Sequence, residues 1–387
     1  MFKPCSYSIY QKGKALKTAG IVAEFNPFHT GHKYLLDKVR EKGFTHILVC
    51  LSSDITQRGD IAIFDRHKRA ECAIRCGADL VVELPVPFSM SSAEIFAKKA
   101  LEILKKIGID ALFFGSETDD KNALINAAQF SRTIKCNKDI KTFLKSGESY
   151  PSAVYKTAVK LIGCEAAKAF KDPNSTLAIE YINALGDTSF FPVIRTVPHD
   201  EEPHEDFAPA SFIRKGIINK DNDVYKYLPY RIKDLAAADI KNTERAVLLS
   251  LYQKNTDELS SCYDINDDLA HRIFNALRTA KSYEELISGI KTKAYTMARI
   301  KRCVFNAYLG ITKSDITLTP YIRPLAANEK GKEIMSSAKC EMSPSLKELS
   351  ENHPRLCELS EASHRLFDMS TNYPTGQSEY SKRLVIN

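Results

Sequence analysis

An α/β fold built on a parallel sheet, followed by a mainly helical second domain, is predicted by three observations. Short apolar runs recur between helical segments, glycines close several of those helices, and strand signals fade beyond about residue 217. The runs look buried on both faces, as strands do when helices cover a parallel sheet on both sides. This predicts a polar leader at 1–17, a sheet domain at 18–217 and a helical domain at 218–387.

Residues 19–24 read as the first strand, and Tyr34, Leu35, Leu36 and Val39 give helical spacing over 33–42 before Gly43. A second strand at 46–51, a helix at 65–75 closed by Gly77 and a third strand at 80–84 repeat the unit. Ser91-Ser-Ala-Glu94 has the spacing of a capping box, which starts a helix running to Gly108. A fourth strand at 111–114, helices within 138–186 and a fifth strand at 190–195 complete the sheet domain. Helical periodicity persists at 243–253 and 269–280, whereas 312–387 mixes short apolar runs with Pro and Ser and carries no assignment.

The chain has 387 residues, 44% hydrophobic and 27% charged, enough to bury a sizeable core. No apolar run approaches the roughly 18 residues of a membrane span. A cytoplasmic protein with no membrane contact is therefore expected. The ten cysteines include no Cys-x-x-Cys pair, and Cys72 and Cys76 fall one helical turn apart, so reduced core thiols are expected. A net charge of +7 permits a nucleic-acid surface without requiring one. Nothing in the sequence decides the oligomeric state.

The chemistry concentrates in Asn26-Pro27-Phe28-His29-Thr30-Gly31-His32, just after the first predicted strand. In a parallel sheet, ligands collect at the carboxyl ends of strands, where free helix N–H groups favour phosphate. The glycine between the histidines admits close backbone approach, and the two imidazoles can donate to charge growing on transferred phosphates. These could be ordinary helix-start residues, which would leave Asn26 and Pro27 unexplained; a His-x-x-His pair is also half a zinc site, but His199 and His204 supply no cluster with ligand spacing, so no metal site is expected.

These residues resemble a known family. Gly20-Ile-Val-Ala-Glu-Phe-Asn-Pro-Phe-His-Thr-Gly-His32 is similar to the opening of the bacterial tRNA(Met) cytidine acetate ligases, relatives of the HxGH nucleotidyltransferases. Ser52-Ser-Asp-Ile-Thr-Gln-Arg-Gly59, Gly77-Ala-Asp-Leu-Val-Val-Glu-Leu-Pro85, Ser91-Ser-Ala-Glu-Ile-Phe-Ala97 and Phe114-Gly-Ser-Glu117 resemble further family motifs in order. Weaker likeness continues through Pro173-Asn174, Arg195, His199-Asp200, Ala210-Ser-Phe-Ile-Arg214, Tyr295-Thr-Met-Ala-Arg-Ile300 and Pro320-Tyr-Ile-Arg-Pro324.

The resemblance implies a Rossmann-like nucleotidyltransferase domain joined to a helical tRNA-binding domain. It implies an enzyme that activates acetate with ATP, accompanied by Mg²⁺, to acetyl-adenylate. The acetyl group, drawn from acetate and not from acetyl-CoA, would pass to the wobble cytidine of elongator tRNA(Met), giving N4-acetylcytidine. Nucleotide contacts carried over from the family are Val22, Ala23, Glu24, Phe25, Asn26, Pro27, Phe28, His29, Thr30, Gly31, His32, Lys33, Tyr34, Leu35, Gly115, Asn174 and Arg195. His29, His32 and Arg214 are the expected catalytic residues, Arg214 as a bidentate phosphate holder or, alternatively, a solvated helix arginine.

Two departures stand out: Asp54 where the family has Asn, and Pro209-Ala-Ser211 where it has Ser-Ala-Thr. Asp54 is expected to place negative charge near the phosphates unless Arg58 or a metal compensates. Gln57 and Arg58 read either as base contacts or as a loop brace. The clusters Asp65-Arg-His-Lys-Arg69 and Arg299-Ile-Lys-Arg302 read as phosphate contacts or solvated helix faces. Tyr295 and Tyr308 read as stacking platforms or helix core, with core favoured, and Phe113-Phe114 as packing.

Two competing functions remain at this stage. A metabolic nucleotidyltransferase acting on a small phosphorylated substrate shares the loop but needs no helical domain. A catalytically dead RNA-binding protein leaves the intact His-x-Gly-His unexplained.

Overall fold

The computed structural model of the chain describes residues 16–135, 137–170, 173–195, 203–204, 206–230 and 236–387. Most of the leader, and His199-Asp200, lie outside the described residues. The five expected strands form as β1 (Thr18–Ala23), β2 (His46–Ser52), β3 (Leu80–Leu84), β4 (Ala111–Ser116) and β5 (Ser189–Ile194). They are parallel neighbours in the order β5-β4-β1-β2-β3.

The pleat divides each apolar run between two cores. In β2, Ile47, Val49 and Leu51 face one core while Leu48 and Cys50 face the other. Helices α1 (Thr30–Glu41) and α2 (Arg66–Arg75) bury Leu36, Val39, Ala70 and Ala73 on the first face. Helix α3 (Ala93–Ile107) buries Phe96, Leu101 and Leu104 on the second and ends at Gly108 in the left-handed conformation.

Four helices follow: α4 (Lys121–Lys135), α5 (Lys138–Lys145), α6 (Tyr150–Ala167) and α7 (Pro173–Leu185), and α7 places Tyr181 beside Phe114. Helix α4 has no counterpart in the sequence reading, although Asp120, which accepts from the N–H groups of Asn122 and Ala123, marks its start. The capping box expected at 91–94 does not form. Ser92 is the N-cap and makes no side-chain cap bond, while the Ser91 hydroxyl donates to the Phe88 carbonyl at 2.7 Å.

After α8 (Ala210–Ile218) come α9 (Glu244–Tyr252), α10 (Thr256–Ser261), α11 (Asp267–Leu277), α12 (Tyr283–Ile290) and α13 (Met297–Leu309). Together α9–α13 enclose a core of their own, into which Ile55, Val86 and Met90 project from the loops after β2 and β3. The helical layer thus sits on the carboxyl-end loops of the sheet.

The chain then returns to the sheet. Strand β6 (Pro324–Ala327) pairs antiparallel with β3, and β7 (Val385–Ile386) pairs with β6. Between them lie α14 (Glu329–Ser337), α15 (Leu346–Asn352) and α16 (Pro354–Met369). The stretch left unassigned by sequence therefore supplies two strands that extend the sheet beyond β3, and three helices.

Polar residues fasten this return. Arg66, fully buried, donates to Asp54 at 2.7 Å, to Glu83, to the Ser360 hydroxyl at 2.6 Å and to the Ser363 hydroxyl at 3.0 Å. Arg323 bridges Glu83 at 3.3 Å and Glu379 at 2.6 Å, and His67 meets Glu379 at 2.7 Å. His364 on α16 lies 3.2 Å from Asp54. Three carboxylates, Asp54, Glu83 and Glu379, are matched by arginines and imidazoles from segments far apart in sequence.

Candidate active site

The strand order reverses between β1 and β4, which opens a crevice at their carboxyl ends, the place where parallel α/β sheets bind ligands. Residues 24–32 rise from β1 directly into it. Phe25 there has a φ of 45°, a conformation side chains rarely adopt, and is held by packing against Phe28 and His32 at 4.8 Å between ring centroids. The Asn26–Pro27 bond is cis. The Asn26 side chain accepts from the Ile63 N–H at 2.8 Å, so its amide braces the loop.

Helix α1 starts inside the motif and not after it. His29 is the N-cap: its Nδ1 accepts from the Gly31 N–H at 3.1 Å, while the His32 Nδ1 accepts from the His29 N–H at 3.2 Å. This is a capping box made by two imidazoles. Capping rules look for side-chain oxygens at these positions, so the sequence reading began the helix at 33.

The caps fix the chemistry of both rings. A backbone N–H only donates, so each Nδ1 carries a lone pair and each ring holds its proton on Nε2. The rings lie 3.8 Å apart at the N-terminus of α1. Burial, with Arg195 and Arg214 nearby, lowers the His29 pKa to about 3; burial, His29 and Arg195 hold His32 well below its ordinary value. At neutral pH the pair therefore presents two neutral N–H donors beside two guanidinium groups.

Arg214, in the second turn of α8, donates from Nη1 to the Asn26 carbonyl at 2.7 Å. It is no solvated surface residue: burial lowers its pKa, a shift that Asp60 and Glu24 oppose. The Pro209 departure shows here, since Pro209 caps α8 with no side-chain bond. Arg195 follows β5 with its N–H on the Ser116 carbonyl at 3.1 Å, and its Nε lies 3.4 Å from Glu117. A Cβ added at Gly115 would make ordinary contact with the Arg195 side chain at 3.5 Å, so Arg195 lies directly beside the end of β4.

The ends of β1, β4, β5 and the start of α8 thus bring His29, His32, Gly115, Arg195 and Arg214 to one crevice. Thr30 donates to the Asp206 carbonyl at 2.6 Å, and Tyr34 packs on Phe207, so both fasten the segment leading into α8. Asn174 stands in the first turn of α7, and its side chain lies outside the described residues.

Glu24, one of the nucleotide contacts the resemblance implies, is tied to the loop after β2. Its Oε1 accepts from the Gln57 N–H at 2.8 Å, and the Gln57 carbonyl accepts from Arg302 of α13 at 3.0 Å. Gln57 is therefore a loop brace. Gly59 in the same loop has a φ of 74°, and a Cβ there would fall 2.6 Å from the Arg302 nitrogen, so the loop lies flat on α13.

Residues 16–381 match the HIGH nucleotidyl transferase family. The tRNA(Met) cytidine acetate ligase of Lactococcus lactis is 34% identical over 83% of this chain and 87% of its own length. The Bacillus subtilis protein of the same name is 30% identical over 93% and 94%. The chain belongs to the tRNA(Met) cytidine acetate ligase family. Among solved structures, TmcAL of Thermotoga maritima bound with alpha-thio ATP superposes with a TM-score of 0.82 at 25% identity, covering 96% of this chain and all of that one. Its apo form gives 0.84.

Two sequence expectations for this member of the tRNA(Met) cytidine acetate ligase family are corrected. Asp54 does not bear on the phosphates: it is fully buried, its charge met by Arg66 and His364 and not by Arg58. Burial opposes the Asp54 anion, but these partners outweigh it and hold the carboxyl well below its usual range. The 65–69 cluster is no phosphate-binding face either. Arg66 and Arg69 are buried, and Arg69 donates to the carbonyls of Phe64, Glu24 and Ser53.

In the 299–302 cluster, Arg299 pairs with Asp264 at 3.0 Å and Lys301 with Asp60 at 2.7 Å. Tyr295 is buried and donates to Asp268 at 2.9 Å, and Tyr308 packs on the helical core, as the packing reading requires. Phe113 and Phe114 stack on Phe191 and Phe190. The described cysteines are all free thiols, most of them buried. Among the described residues, no helix is long and apolar enough to cross a membrane.

Proposed function

We propose that the chain activates acetate with ATP and transfers the acetyl group from acetyl-adenylate to the N4 amine of the wobble cytidine of elongator tRNA(Met). The observation that carries the first step is the pair of Nε2–H donors fixed by the reciprocal histidine cap, flanked by Arg195 and Arg214. An acetate oxygen attacks the α-phosphorus of ATP and pyrophosphate leaves. The charge that grows on the phosphate oxygens needs donors already in place, since donors that need no reorganisation stabilise it most.

In this reading His29 and His32 donate to the α- and β-phosphate oxygens, and Arg214 holds the β- and γ-phosphates. Gly115, Asn174 and Arg195 contact the nucleotide, and Mg²⁺ arrives with the phosphates. Acetyl-CoA has no part. The acceptor rests on the curated relatives, which bear the name tRNA(Met) cytidine acetate ligase, and residues 218–387 are proposed as the tRNA-binding part. A helical layer seated on the carboxyl-end loops of the sheet suits that role, because an RNA bound to it would lie beside the crevice.

The test incubates the protein with ATP, labelled acetate and total tRNA, then digests the RNA to nucleosides. Labelled N4-acetylcytidine that appears with ATP and acetate, but not when labelled acetyl-CoA replaces both, is the expected result. Absence of label together with absence of pyrophosphate release would overturn the proposal.

A further inference from the structure

We propose that Glu24 is the general base that takes the proton from the cytidine N4 amine during acetyl transfer, an inference that rests on the function proposed above. Adenylylation calls for cations and N–H donors around the triphosphate, which repels a carboxylate that no cation screens. Yet Glu24 stands at the end of β1, partly exposed, with Arg214 close enough for Glu24 to support its charge. Transfer does need a proton acceptor. The N4 lone pair is delocalised into the pyrimidine ring, so the amine is a weak nucleophile until its proton is removed as the new bond forms.

The other titratable groups of the crevice are committed. His29 and His32 use Nδ1 as helix-cap acceptors and hold their protons on Nε2, so neither ring can accept a proton without breaking a cap. Asp60 is paired with Lys301 at 2.7 Å, and Glu117 lies 3.4 Å from Arg195. Glu24 differs. Its Oε1 is fixed by one neutral backbone donor, Gln57 N–H at 2.8 Å, and among the described residues its other oxygen has no protein partner.

Position agrees with this role. Gln57 is tied through its carbonyl to Arg302 of α13, and Asp60 in the same loop is tied to Lys301. Glu24 is thus held on the side of the crevice that adjoins the helical layer, where an acceptor base would enter. In the step itself, the N4 lone pair forms the N–C bond with the acetyl carbonyl carbon. The C–O bond to AMP breaks, its electron pair stays on the phosphate oxygen, and the N4 proton passes to the Glu24 carboxylate.

Glu24→Gln tests this, since glutamine keeps an oxygen for the Gln57 N–H but cannot take the proton. Acetate-dependent ATP–pyrophosphate exchange without tRNA reads the first step, and single-turnover acetylation of tRNA from preformed acetyl-adenylate reads the second. The expected result is transfer slowed by about 10²–10⁴-fold, the usual scale of general-base loss, with exchange falling far less and the acidic limb of the transfer pH profile gone. Near-normal transfer in the variant would overturn the assignment. So would equal losses in both steps, which would place Glu24 on the nucleotide. Wild-type protein giving neither exchange nor transfer would instead refute the function on which the inference rests.

Discussion

His32→Ala is expected to abolish acetyl-adenylate formation while leaving tRNA binding largely intact. The substitution removes two things at once: the Nε2–H donor, and the Nδ1 acceptor that receives the His29 N–H. Loss of one preorganised donor to a charge-developing oxygen costs about 10²–10³-fold in rate. Loss of the cap adds to this by releasing the loop that holds His29 in place. The two effects separate with His32→Asn, whose side-chain oxygen can still receive the cap bond but whose amide does not reach as far as Nε2. Asparagine should preserve thermal stability and still lose most of the exchange activity. Near-normal exchange in either variant would contradict the role given to the ring.

Arg66→Met is expected to be the most destabilising single change outside the active site. Arg66 serves Asp54, Glu83, Ser360 and Ser363 together, with no solvent access. Removing one partner of a buried ion pair costs about 3–5 kcal/mol, because the charge left behind has neither water nor counter-ion. Here Asp54 and Glu83 each lose a partner, Asp54 keeping His364 and Glu83 keeping Arg323. Asp54→Asn should be milder, since its side-chain oxygen can still accept from the Arg66 N–H now given to the carboxylate at 2.8 Å.

The same network carries a pH signature. Burial works against the His364 cation, but Asp54 and Glu379 outweigh it and raise its pKa above the ordinary 6.5. A raised histidine pKa contributes stability that is complete below 6.5 and is lost as pH rises through the folded value. Urea midpoints should show Arg66→Met far below wild type at neutral pH, and the Asp54→Asn midpoint should change less than wild type as pH rises above 6.5. A midpoint for Arg66→Met equal to wild type would remove the network from the account of stability.

Much of the fold was legible because β1–β5 are local events: apolar runs of strand length, the first three each followed by a helical segment closed by a glycine. Strands β6 and β7 were not legible. Pro324–Ala327 is a short run made a strand by β3, which lies more than 230 residues earlier in the chain, and no local pattern records that partner. Asp54 was misread for the same reason. Its neighbours in sequence suggested a phosphate loop, whereas its compensating imidazole comes from residue 364. The 65–69 cluster looked like a solvated face because charge in a sequence says nothing of burial, and Arg66 and Arg69 are buried.

The candidate site divides along similar lines. His29 and His32 follow from strand-end position and residue type, Gly115 and Arg195 from the family resemblance, and the structure brings them together with Arg214. What sequence could not supply was the orientation of the imidazoles. That comes from backbone geometry at 29–32, where each histidine caps the helix start and so turns its proton outward.

Acetate-dependent exchange of labelled pyrophosphate into ATP, run on the wild-type protein without tRNA, tests the central claim most directly. Exchange that requires acetate, and is lost when acetate is omitted, is the result predicted for a histidine-capped loop that builds acetyl-adenylate. Exchange that proceeds equally without acetate, or none at all with ATP and acetate present, would contradict it.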